Sequence, residues 1–262
     1  MADIDQDTRL RVIASELRER ADQLDLMASG TKGPIDSEPA TIEGAGFPES
    51  NFEDYGAFYD FLRGNKMLGP KITPEEFAGC DTIIRACAAE KWGVAWVAYA
   101  LATAYHETAH TMQPVKELGG DAYLTRMYDI TGARPKKAKE LGNLTPGDGV
   151  RFAGRGYPQL TGRRNYAVAT AQLKARGWDV DLVTDPDKLL QPDIAAAVMV
   201  YGMREGWFTG RDIDDDLPDT GPAQASQFAL SRDIINGRDK QELIAGYAMD
   251  FQQGLIAGGY HV

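Results

Sequence analysis

Histidine and cysteine are both scarce in this chain of 262 residues, which holds three of the former and two of the latter. The cysteines, Cys80 and Cys87, stand seven apart in a stretch that reads as one helix. Two turns separate them by about 10 Å, which excludes a disulfide between them. Both are expected as small buried hydrophobes of a reduced protein. Long apolar runs are missing too. The longest, VAWVAYALATAY at 94–105, has twelve residues, short of the roughly 20 that span a bilayer, so no stable membrane insertion is expected. The N-terminus, MADIDQDTRLRV, begins acidic and has no apolar segment of a secretion signal. The chain is therefore expected in the cytoplasm after synthesis, unless another agent releases it. Basic charge is in deficit, with 28 Lys and Arg against 39 Asp and Glu and a net charge of −11. Nucleic acid, whose backbone is gripped by clustered cations, is not expected as a partner. The acidic run RDIDDDLPD at 211–219 lacks the glycine and closing glutamate of an EF-hand loop and reads as a solvated loop. Strand-like alternation is rare, and there is no internal repeat.

What is present is an ordinary globular balance, 43% hydrophobic and 26% charged, long enough for a sizeable core. Residues 7–28 read as an amphipathic helix, with Leu10, Ile13, Leu17, Ala21 and Leu24 at helical spacing. It is suited to docking or to weak self-association, and its Arg9, Arg11, Arg18 and Arg20 offer a basic face. Residues 29–50, rich in Gly, Pro, Ser and Glu, read as a linker. From 51 to 262 the pattern is mostly helical and is expected to form one domain. Thr73, Pro74 and Glu76 spell a capping box that opens a helix to about Glu90. Further helices are expected from about Val94 to Glu107, after Asp185-Pro186, from Pro192, across AQASQFALSRDIIN and across DKQELIAGYAMDFQQGL. Between 108 and 166 glycines interrupt this rhythm, and loops with a small hairpin between 111 and 160 are expected there.

The segment AYHETAH at 104–110 enters that region and has two readings. As H-E-x-x-H it offers His106 and His110 one helical turn apart with Glu107 between them, the spacing of a zinc-protease helix. A third ligand is then needed, and the candidates are thin: Glu140 downstream or His261, the penultimate residue. Alternatively Glu107 is a lone catalytic carboxylic acid, held and partly desolvated by the apolar helix before it. A glycosidase requires a second carboxyl across the scissile bond. Glu117, ten residues on and past the turn at Pro114, can supply it.

The string LGNLTPGDGVRFAGRGYPQLTGRRNY at 141–166, with HET before it and DIINGRD after it, resembles glycoside hydrolase family 19, the chitinases and the lysozyme-like endolysins of phages and prophages. The resemblance covers roughly residues 90–255 and is strongest at 105–166. It implies a mainly α, lysozyme-like, two-lobed domain with a small hairpin beside the cleft. It also implies an inverting mechanism without metal or other cofactor, in which Glu107 is the acid, Glu117 the base, and Thr161 helps hold the attacking water. Lysozyme-like members often carry the second glutamate nine residues after the first; here that position is Lys116 and the glutamate follows it. Gln159, Asn165, Tyr166 and Asn236 are implied in substrate binding, amides being suited to sugar hydroxyl and N-acetyl groups. Arg155 is implied as a cation steadying a carboxylate. Gly154 and Gly156 allow close approach of backbone to a sugar. The chitinase disulfides are absent, which points to the endolysin branch: a cytoplasmic enzyme that cuts peptidoglycan glycan strands after holin-dependent release. A chitinase, a non-catalytic glycan-binding protein and a zinc protease are the alternatives. On this reading HETAH is a glycosidase acid that happens to spell a zinc motif.

Overall fold

A computed structural model of the chain describes residues 47, 52–65, 67–69, 71–235, 237 and 239–261. The expected helix at 7–28 lies outside them, as does the expected linker apart from Phe47. Phe47 is buried, its ring on Trp178 at 5.7 Å and its carbonyl accepting from Arg85 Nη2 at 2.7 Å. Among the described residues the chain is mainly helical, as its sequence implies. In chain order the elements are α1 (Tyr55–Gly64), α2 (Pro74–Ala89), α3 (Val94–Glu107), β1 (Val115–Lys116), α4 (Gly120–Tyr128), α5 (Pro135–Glu140), α6 (Asp148–Arg151), β2 (Arg155–Gly156), α7 (Arg163–Ala175), α8 (Pro192–Arg204), α9 (Ala225–Leu230) and α10 (Gln241–Ala257). Single 3-10 turns occupy Pro186–Leu190, Ile213–Asp215 and Ser231–Ile234.

The apolar run at 94–105 becomes the hub of the fold. Every residue of α3 from Ala95 to Tyr105 is buried, because the helix is apolar on all sides and needs neighbours on all sides. It packs on α2 and α10, and α10 in turn on α1 and α9. Gly93 precedes it without a side-chain cap, since a Cβ there would sit 2.2 Å from Asp219 O. The α2 capping box forms as its sequence predicts: Thr73 Oγ1 accepts from Glu76 N at 3.1 Å, and Glu76 Oε2 from Thr73 N at 2.8 Å.

Two local expectations change. After Asp185 the chain makes only a 3-10 turn. Between 108 and 166, where loops were expected, α4, α5 and α6 form, with α4 packing on both of the others, each punctuated by glycine. The expected hairpin is a two-residue antiparallel ribbon, pairing Val115 with Gly156 and Lys116 with Arg155 across a long connection. Asp129 organises this region. It is fully buried and accepts from Thr131 N (3.0 Å), Thr131 Oγ1 (2.7 Å), Gly147 N (2.8 Å) and Gly149 N (3.0 Å). Asp148, also buried, takes Arg163 Nε at 2.9 Å, with a second contact from Arg163 Nη2.

Candidate active site

Glu107 is the last residue of α3. Beyond it the chain leaves the helix through three non-glycine residues in the left-handed region: Ala109 (φ 51°), His110 (φ 72°) and Met112 (φ 54°). Thr108 holds this turn, its Oγ1 donating to Ala104 O at 2.8 Å and accepting from Met112 N at 3.0 Å. The turn breaks the geometry that H-E-x-x-H needs. A zinc helix sets its two histidines on successive turns of one face, whereas His110 folds back and stacks flat on Tyr105, ring centroids 4.1 Å apart. Its Nε2 lies 3.5 Å from the Tyr247 hydroxyl. Burial holds both imidazoles below the ordinary histidine range, and for His110 the neighbouring His106 adds to this. The third-ligand candidates lie elsewhere: Glu140 is exposed at the end of α5, and His261 Nδ1 is 3.0 Å from Gly259 O. Among the described residues no three His, Cys, Asp or Glu side chains are grouped to hold a metal.

The partner of Glu107 is Arg232, in the 3-10 turn after α9. Its Nη2 is 2.9 Å from Glu107 Oε1, and the two side chains are 2% and 16% exposed. Arg232 Nε donates to Asp239 O at 3.1 Å. Among the described residues neither Arg232 Nη1 nor Glu107 Oε1 has an aligned hydrogen-bond partner, so both atoms keep bonding capacity unused. Sequence reasoning missed Arg232. A signal was available: in QFALSRDII the arginine falls on the same helical face as the apolar Phe228 and Ala229, the face a core-packed helix buries.

Glu117 follows β1 directly, and the β1–β2 ribbon sets its position. Its N–H donates to Gly154 O at 2.8 Å, and its Oε2 accepts from Gly154 N at 3.1 Å. Its Oε1 accepts from the Tyr128 hydroxyl at 2.8 Å. Burial, then the Glu117 charge, pushes that phenol far above its usual range, so it remains a donor. A Cβ placed on Gly154 would lie 2.8 Å from Gln159 Oε1, 3.1 Å from Glu117 Oε2 and 3.2 Å from Thr161 Oγ1. Those three oxygens therefore converge beside Gly154, at a spot that a side chain on residue 154 would crowd. Thr161 Oγ1 donates to Gln159 O at 2.9 Å, which leaves its lone pairs free to accept a further hydrogen bond. Gln159, in the left-handed region at φ 54°, is fixed by Nε2 donating to Val115 O (2.9 Å) and Gly156 O (3.0 Å).

Other residues named from the sequence are placed differently. Arg155 is 3% exposed and bonds Asp187 Oδ1 (2.7 Å), Arg151 O (3.0 Å) and Ala153 O (3.0 Å). It steadies a carboxylate, but that of Asp187 rather than one of the candidate pair. Tyr166 is fully buried, its hydroxyl donating to Ala153 O at 2.7 Å and accepting from Arg155 Nη1 at 3.2 Å. Burial pushes it up to about 12, and it is a packing residue without access to a sugar. Gly156 faces Leu189, 3.1 Å from its would-be Cβ, and serves the packing of the 186–190 turn. Asn165 Nδ2 donates to Thr161 O at 2.7 Å, holding the Thr161 backbone. Asn236 lies outside the described residues.

No family model and no curated protein matches the chain. Among solved structures it is similar to chitinase C from Streptomyces griseus HUT6037. The TM-score is 0.39 and the identity 18%, over 82% of this chain and 74% of that one. No residue role follows from a likeness of that size.

A separate hollow of about 770 Å³ lies at the opposite end of α3, lined by Glu90, Lys91, Trp96, Arg204, Asp214 and Asp219 among others. Fourteen residues of helix put it about 20 Å from Glu107. Its charges are of both signs.

Proposed function

We propose that the protein is a glycoside hydrolase that cuts β-1,4 bonds in N-acetylated glycan strands of bacterial peptidoglycan by single displacement. Glu107 protonates the glycosidic oxygen as the C–O bond breaks. Glu117 takes a proton from the water that attacks the anomeric carbon from the opposite face, and Thr161 accepts the water's other hydrogen bond. Arg232 stabilises the carboxylate left on Glu107 once its proton has gone. The convergence of Glu117, Thr161 and Gln159 oxygens beside Gly154 carries this reading, because a general base needs a positioned water within hydrogen-bond reach. The motif string at 141–166 supports the same chemistry, and the setting it suggests is that of an endolysin acting on the wall after release from the cytoplasm.

The test is hydrolysis of purified, protein-free sacculi, with colloidal chitin as the neutral alternative. Glu107→Gln and Glu117→Gln should each lower the rate by about 10²–10⁴-fold, the usual worth of a positioned acid or base, while far-ultraviolet circular dichroism stays unchanged. Excess EDTA should leave the wild-type rate as it was. Proton NMR of the first products should show the inverted anomer. Full activity in both variants, or activity abolished by EDTA and restored by zinc, would sink the assignment.

A further inference from the structure

The acidity of the chain is unevenly distributed. Residues 105–166, which hold the candidate pair, carry ten Lys and Arg against six Asp and Glu, whereas the whole chain carries 28 against 39. Much of this local excess lies on one feature. The buried Ala138 seats α5 against its neighbours, while Lys136, Lys137 and Lys139 are exposed, with Arg134 exposed at its start. Arg126 is exposed at the end of α4, with its guanidinium over the Tyr123 ring at 5.8 Å. None of these five cations makes an ion pair within 4 Å among the described residues. Two acids of the same segment are engaged elsewhere. Asp129 is buried on its four donors, and Asp148 is taken by Arg163. Glu140 stands alone at the end of the helix, where it helps line an open hollow of about 400 Å³ with Arg134, Lys136 and Lys137.

The ridge is joined to the helix that reaches the candidate base: Ala133 N donates to Arg126 O at 2.9 Å, and Tyr128, at the end of α4, has its hydroxyl 2.8 Å from Glu117 Oε1. We propose that Arg126, Arg134, Lys136, Lys137 and Lys139 form a carboxylate-binding ridge that selects an anionic N-acetylated glycan over a neutral one. The inference rests on the glycan-hydrolase reading for its substrate class. Unpaired surface cations beside a cleft raise the local concentration of a polyanion, and they give a chain of net charge −11 a face with which to approach an anionic wall. The groups they meet are the free carboxylates of the stem peptides, which a wall strand carries and chitin lacks.

The test is retention of the full-length protein by sacculi on ice, where binding is read without turnover. The variants are the triple reversal Lys136→Glu/Lys137→Glu/Lys139→Glu and the neutral triple Lys136→Gln/Lys137→Gln/Lys139→Gln. Both spare Arg134, and both replace exposed lysines by good helix formers. Reversal should weaken retention about tenfold and the neutral triple by less, as expected of a steering patch, with circular dichroism and thermal unfolding unchanged. Amidating the carboxylates of the sacculi should weaken wild-type retention equally, and so should high salt, which screens exposed charges. Reversal variants that bind like wild type would overturn the proposal. So would retention that survives amidation but is lost when phosphate polymers are stripped from the sacculi. Salt-sensitive retention without released fragments at 37 °C would keep the ridge and sink the hydrolase. Equal hydrolysis of chitin and sacculi by wild type and reversal variants would do the converse.

Discussion

Glu107 and Arg232 show what one ion pair does at the edge of a core. A charge held at 2% exposure is tolerated because its counter-charge is in contact, and removing one partner leaves the other uncompensated. Arg232→Leu should therefore destabilise the protein by about 3 kcal/mol in urea unfolding. Arg232→Leu/Glu107→Leu should recover most of that loss while remaining inactive. A double variant no more stable than the single one would show that the pair does not govern stability. Gly154 makes the complementary case, in which a residue acts by what it lacks. Its φ is not in the left-handed region, so alanine fits the backbone, yet its Cβ would intrude on three oxygens at 2.8–3.2 Å. Gly154→Ala should keep a melting temperature within a few degrees of wild type and lower the hydrolysis rate by about 10²-fold or more, as loss of a positioned water would. A fully active Gly154→Ala would mean that the water sits elsewhere.

The short helices α4 to α6 depend on polar organisation rather than on an apolar stripe. Asp129 and Asp148 both sit below the ordinary carboxylate range. Burial alone would raise them, but it is outweighed at Asp129 by donors from Thr131, Gly149 and Gly147, and at Asp148 by Arg163 and the Thr145 backbone. A folded-state value below the unfolded one, about 3.9, means that their stabilisation is complete above that value and lost as pH falls through the folded one. Wild-type stability in urea should therefore drop steeply below about pH 4. Asp129→Asn should be less stable at neutral pH and show a shallower acid limb, since an amide cannot accept from all four donors. An acid limb identical in the variant would place the sensitivity elsewhere. The same reliance on polar contacts explains why these helices were not legible in the sequence. They have nine, six and four residues, too few to set up an apolar period, and their glycines read as loop. The helices around the core were legible because α2 carries its capping box and α3 its continuous apolar run.

At the scale of the whole molecule, sequence alone determined the mainly helical class, the hub helix, and the place where Glu107 leaves it. Those follow from local periodicity and capping, which neighbouring residues encode. It also singled out Glu117, by its place ten residues after Glu107, and Thr161, Gln159 and Gly154, through one motif string, each in a separate role. Only the tertiary structure decided the rest. Arg232 reaches Glu107 from 125 positions away, and Arg155 turns from the candidate pair to Asp187. Tyr166 goes into the core, and His110 folds onto Tyr105 instead of extending a zinc helix. The division of charge is of the same kind. A net value of −11 describes the chain as a whole, but which cations stay unpaired on one face depends on which acids folding buries. Partner choice among long, charged and aromatic side chains is settled by packing between distant segments, and no local pattern records it.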